Sequence, residues 1–150
     1  MPLTEQELTA ALTQAMKERA ALRLGVLRGV VAAAKNLKVE KRVQTLAPAD
    51  LEQVVRKEIR KREEAEGFAR QGNRTDLLEQ NQAERAVLES LVPPLLEGAE
   101  LEAAIRALVA ELKASAIGPV MAALRERLAG RYDGKQASEV ARRILAEPAR

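Results

Sequence analysis

Apolar residues return every three or four positions along almost the whole chain, and no segment alternates apolar with polar as a half-buried strand would. The pattern predicts an all-α protein. An N-terminal helical domain of about four helices (residues 1–95) is followed by a C-terminal three-helix module (residues 96–150). Thr4-Glu5-Gln6-Glu7 has the form of a capping box, in which the hydroxyl accepts from the amide three residues on and Glu7 reaches back. Leu8, Leu12, Ala15 and Met16 then mark the first helix. A second runs from about Ala20 to Val39, with Leu22, Val26, Leu27, Val30, Val31 and Ala34 dense enough to bury most of its girth. Gly25 and Gly29 lie inside it. Each costs roughly 1 kcal/mol against Ala on an exposed helix, so close contact with a neighbouring helix is expected there; a membrane helix pair is the rival reading.

Pro48 suits the first turn of a third helix, where its missing amide is no loss. Leu51, Val55, Ile59 and Phe68 are expected on the buried side of this helix, which ends near Gln71. Gly72 is expected as the left-handed residue past its end. Asn73, three before Asp76, is expected to open a fourth helix carried by Leu77, Leu78, Val87, Leu88 and Leu91 to about Val92. Pro93-Pro94 stops it, because neither proline donates an amide and each disfavours helix in the residue before it.

Beyond that break three short apolar stripes follow: Leu101 to Leu112, Ile117 to Leu128, and Ala137 to Leu145. The last two meet at Gly130-Arg131-Tyr132-Asp133-Gly134-Lys135, a tight basic corner. Gly118, Gly130, Asp133 and Gly134, with Pro93 and Pro94, are expected to act as turn and structural residues.

Composition narrows the chemistry. Aromatics are 1% of the chain, and Leu, Val, Ile, Ala and Met must build the core. The absence of Cys and His excludes disulfides, thiol or Ser-His catalysis and zinc sites of ordinary ligand type. No metal and no cofactor is expected. The first residues carry neither a basic start nor an apolar run, and no stretch reaches the length of a membrane span, so a cytoplasmic protein is expected.

Net charge is only +3, but it is segregated. Residues 1–75 carry 15 basic and 10 acidic groups, residues 76–112 carry 2 and 8, and residues 113–150 carry 8 and 4. Arg125, Arg131, Lys135, Arg142 and Arg143 cluster around the last corner. Arg56, Lys57, Arg60 and Lys61 form two rows on the third helix, beside Glu58, Glu63, Glu64 and Glu66, which can neutralise them. Both sets are candidate nucleic-acid contacts, because cations and helix N-termini can meet phosphates. With so few aromatics, backbone and shape recognition of a folded RNA is expected over base stacking.

A further indication comes from particular strings. Leu91-Val92-Pro93-Pro94-Leu95-Leu96, Glu58 to Ala65, the turn residues Gly72, Arg74, Asp76 and Leu77, Arg28 in the second helix, and Gly118, Val120, Met121, Gly130, Asp133, Gly134 and Lys135 in the tail are spread along the chain. Together they resemble the GatB/YqeY family, in its stand-alone form. The resemblance implies that the C-terminal module is similar to the tail of the GatB component of the glutamyl-tRNA(Gln) amidotransferase. There the tail helps to hold tRNA while the ammonia transfer occurs elsewhere. The family label, carbon–nitrogen ligase with glutamine as amido-N-donor, follows the same likeness. The implied partners are tRNA or another structured RNA, and components of an amidotransferase or a tRNA synthetase. Two positions depart from the family's pattern. Pro119 stands where a cation is usual, and Tyr132 where a small residue is usual; Tyr132 can stack on a base or cover the turn.

The residues themselves argue against catalysis by this chain alone. Ser90, Ser115 and Ser138 lie apart, and none sits in a Gly-rich loop or beside an evident lysine. A phosphate-binding loop of the Gly-x-x-x-x-Gly-Lys-Ser/Thr type is absent. The expected role is a non-catalytic tRNA-binding module. The alternative is a protein–protein adaptor that binds through the acidic middle, around Glu79, Glu84, Glu89 and Glu97.

Overall fold

The Thr4 hydroxyl accepts from the Glu7 amide at 3.1 Å, and the Glu7 carboxylate accepts from the Thr4 amide at the same distance. This reciprocal cap starts α1 (Glu5–Lys17) in a computed structural model that describes residues 3–148. Six more helices follow among the described residues: α2 (Ala21–Lys41), α3 (Pro48–Gln71), α4 (Thr75–Glu89), α5 (Gly98–Leu112), α6 (Ile117–Arg127) and α7 (Gly134–Leu145). No strand occurs among those residues. No single helix among them is long and apolar enough to cross a membrane. The chain forms two compact units, Met1–Pro93 and Pro94–Arg150.

In the first unit α2 packs on α1, α3 and α4, while α3 and α4 form an antiparallel hairpin. Leu27, Leu51, Val55 and Leu88 are fully shielded from solvent. Each such aliphatic side chain contributes about 1.5–3 kcal/mol on burial. Glu5 binds the unit's start to its middle. Its carboxylate accepts from Lys38 Nζ at 2.6 Å and from the Leu46 amide at 3.0 Å.

Several expectations for this unit need correction. Helix α2 buries only Val26, Leu27, Val30 and Ala34, and leaves Leu22 and Val39 exposed. Gly25 and Gly29 lie on that exposed side, and a methyl group added at either would meet no atom within 4 Å. They are not close-contact positions. Gly72 has an ordinary φ of −88°, and Asn73 takes the left-handed conformation instead, at φ 54°. Asn73 therefore ends α3, where the Arg74 amide bonds back to the Ala69 carbonyl at 2.8 Å. It does not cap α4, whose N-cap residue is Arg74. Met16 is exposed, and α4 ends at Glu89 with Val92 buried in the turn beyond it.

In the second unit α5, α6 and α7 pack pairwise around Leu101, Ile105, Val120, Leu124, Ala137 and Ala141. The two buried alanines of α7 let its axis approach its neighbours closely. Gly118 is not a turn residue. It lies in the first turn of α6 with open space around it.

A cationic corner in the tail as candidate nucleic-acid interface

Helix α6 stops because Leu128 leaves helical geometry and Gly130 turns the chain at φ 74°, a region glycine enters without penalty. The Arg131 amide bonds to the Leu128 carbonyl at 3.0 Å, and the Arg131 carbonyl accepts from the Leu96 amide at 2.7 Å. The corner is thus bonded on both sides. Asp133 then caps α7, accepting from the Gln136 amide at 2.9 Å. Gly134 is the first residue of that helix and has no close neighbour. Tyr132 is half-buried and packs against the tail's apolar core. The turn is therefore covered by its own ring.

The corner joins the two helices that carry the candidate cations. Arg125 stands exposed on α6, and Lys135, Arg142 and Arg143 stand exposed on α7. Lys135 and Arg142, two turns apart, share the side of α7 opposite Ala137 and Ala141. Glu139 lies between them on the same side but makes no ion pair among the described residues. Arg125, Lys135 and Arg142 likewise have no hydrogen-bond or ion-pair partner there. Arg143 approaches Glu102 at 3.3 Å, and Arg131 is half-buried in the turn.

The other tail cations are engaged. Arg106 donates to Glu147 and to Glu102, with bonds of 2.7 and 2.8 Å, and these two carboxylates raise its pKa above the usual value. Arg127 donates to Glu111 at 2.7 Å, which raises the guanidinium and lowers the Glu111 carboxyl.

The basic rows of α3 do not stay together. Arg56 is buried, with 6% exposure, and its Nη2 donates to the Pro93 carbonyl at 2.7 Å. It holds the proline break in place and offers nothing to a phosphate. Lys61 pairs with Glu58 at 3.1 Å. Lys57 and Arg60 are exposed, with no partner among the described residues. With Lys61 they line an open groove of about 390 Å³ between α2 and α3.

The buried side of α3 also differs from expectation. Phe68 is 73% exposed, whereas Glu66 is 2% exposed and faces Arg85 of α4. Helical spacing carried this signal. Continuing Leu51, Val55 and Ile59 at 100° per residue leads to Arg62, Glu66 and Ala69, and places Phe68 on the far side. The acidic middle segment is partly consumed: Glu84 approaches Arg62 at 3.4 Å and Glu89 approaches Arg85 at 3.1 Å. Among the described residues, no three acidic side chains converge in a way that could hold a metal ion. The Ser90 hydroxyl is occupied locally, donating to the Val87 carbonyl at 2.6 Å.

These features define an all-helical protein of two units among the described residues, whose tail carries unpaired cations on the two helices that a braced turn joins. Comparison with protein families gives the chain its place: it belongs to the YqeY-like proteins, whose family model matches residues 5–145. No curated protein matches it.

Proposed function

We propose that this chain is a non-catalytic RNA-binding module, with tRNA as its ligand and with amidotransferase or tRNA-synthetase components as its working partners. The observation that carries the reading is the exposure of Arg125, Lys135 and Arg142 on two packed helices, none of them in an ion pair among the described residues. Other tail cations are held by carboxylates, as Arg106 and Arg127 are. Arg125, Lys135 and Arg142 are not so held, and their charge suits a polyanion. The likeness of the tail to an amidotransferase tail that holds tRNA supports the choice of ligand. Recognition runs through the phosphate backbone and the shape of the fold. Tyr132, half-buried against the tail's core, is given the role of covering the turn.

Affinity for bulk tRNA, measured against salt concentration, tests the proposal. The wild type should bind with a steep inverse salt dependence. Replacing Lys135 and Arg142 by Ala should lower that slope by about one for each phosphate no longer neutralised. Arg106→Ala, which removes a cation already committed to carboxylates, should leave the slope unchanged. No binding at moderate salt, or equal slopes for all variants, would refute the reading.

A further inference from the structure

Phe68 is the chain's single phenylalanine, and it stands 73% exposed on a helix. Exposing so large an apolar ring forfeits burial energy that the fold would otherwise gain. Its neighbours on that side of α3 give the position a meaning. At 100° per residue, Lys57, Lys61, Glu64 and Phe68 fall within one narrow sector, with Arg60 at its edge. All five are exposed. The three cations also line the open groove against α2, whose wall adds the Asn36 amide, the apolar side of Leu37 and the carboxylates of Glu40 and Glu58.

We propose that this side of α3 is a second RNA contact, in which Phe68 stacks on an unpaired base while Lys57 and Arg60 hold the phosphates beside it. The proposal rests on the RNA-binding reading above but uses a different surface and a different kind of contact. The separation suits the task. Arg60 and Lys57 lie about 12 and 16 Å from Phe68 along the axis, the reach of two or three nucleotides in a partly extended strand. Lys57 and Arg60 are not neutralised by any described residue, so their charge is available. Glu64 lies between the cations and the ring, where it repels a phosphate but can accept from a base's exocyclic amine or a ribose hydroxyl. It therefore favours a base beside Phe68 and a backbone beside Lys57 and Arg60. A protein partner would also cover an exposed ring. Glu58 is taken up by Lys61, and the unpaired Lys57 and Arg60, open to solvent beside a groove of about 390 Å³, favour the nucleic acid.

The chain has no tryptophan, so Phe68→Trp places one reporter at the site. Bulk tRNA should quench its emission strongly, because the indole stacks on a base, and a fully paired RNA duplex should not. Phe68→Ala should weaken tRNA binding about tenfold with an unchanged salt slope, since no charge is removed. Lys57→Ala/Arg60→Ala should instead lower the slope. Filter retention of labelled tRNA, read in parallel, separates the two proposals. If tRNA is retained but the emission does not change, the stacking contact is overturned and the tail reading stands. If tRNA is not retained at all, both fall. A blue shift produced by a nuclease-treated protein fraction, with tRNA silent, would show that a protein covers Phe68 and would overturn the proposal.

Discussion

Glu66 and Arg85 meet across the α3–α4 hairpin through two contacts: Nη2 donates to Oε1 at 3.0 Å, and Nε lies 2.6 Å from Oε2. The second approach is close but off the line of a hydrogen bond, so the first carries the directional bond. Glu66 is shielded from water, while Arg85 keeps part of its guanidinium exposed.

Removing the arginine strands a buried charge. Arg85→Met should destabilise the protein by about 3 kcal/mol, measured by urea unfolding. The double variant Glu66→Leu/Arg85→Met should recover to within about 1 kcal/mol of wild type. Additive losses would mean that the two side chains are not coupled.

Glu5 gives the first unit an acid-sensitive joint. The Lys38 ammonium, chiefly through its hydrogen bond, and then the Leu46 amide hold the Glu5 carboxyl below its usual value of 4.5. The unfolded chain therefore takes up this proton first as pH falls. The stabilisation is complete above the unfolded value and disappears as pH drops through the lower folded value. Glu5→Gln should cost about 2 kcal/mol at neutral pH. Thermal melts should show the gap between variant and wild type closing as the pH is lowered through and below the usual carboxylate range. A gap that stays constant with pH would contradict this account.

Two glycines at the tail's corner should respond with opposite sign. Gly130→Ala forces a side chain into left-handed backbone at φ 74° and should cost about 1–2 kcal/mol. Gly134→Ala falls in the first turn of α7 with room for the methyl, and should stabilise by about 0.5 kcal/mol. Equal effects in denaturant melts would show that the corner is not built as described.

Gly25 and Gly29 offer a parallel test on α2. Both are exposed and have nothing within 4 Å of an added methyl. Gly25→Ala and Gly29→Ala should each raise stability by about 0.5–1 kcal/mol. A loss would indicate that a neighbouring surface does occupy that side.

The helices were legible in the sequence because their signals are local. The Thr4–Glu7 cap, Pro48 at a helix start and the Pro93-Pro94 stop each act within one turn. What was not legible depended on partners distant in sequence. Whether Gly25 and Gly29 meet another helix is decided by how α1, α3 and α4 surround α2, and no pattern within α2 contains that. Arg56 resembles Lys57 and Arg60 in the sequence, but only Arg56 lies within reach of the Pro93 carbonyl. Phe68 misled for a different reason. Hydrophobicity suggested burial, while the register of Leu51, Val55 and Ile59 already pointed away from it. Glu66 was the reverse case, a charge in an apolar row, and Arg85 resolves it. In the tail, the corner residues Gly130 and Asp133 could be placed from sequence. Which cations would be left without carboxylates could not, because Glu102, Glu111 and Glu147 reach theirs across helices or across a turn of the same one.

The bond from the Leu96 amide to the Arg131 carbonyl fixes where the tail begins as a piece of machinery. An excised tail that started at α5 would lose the strap that keeps its basic bend folded. Grafts and minimal fragments must therefore carry the stretch between Pro94 and Gly98, although it belongs to no helix.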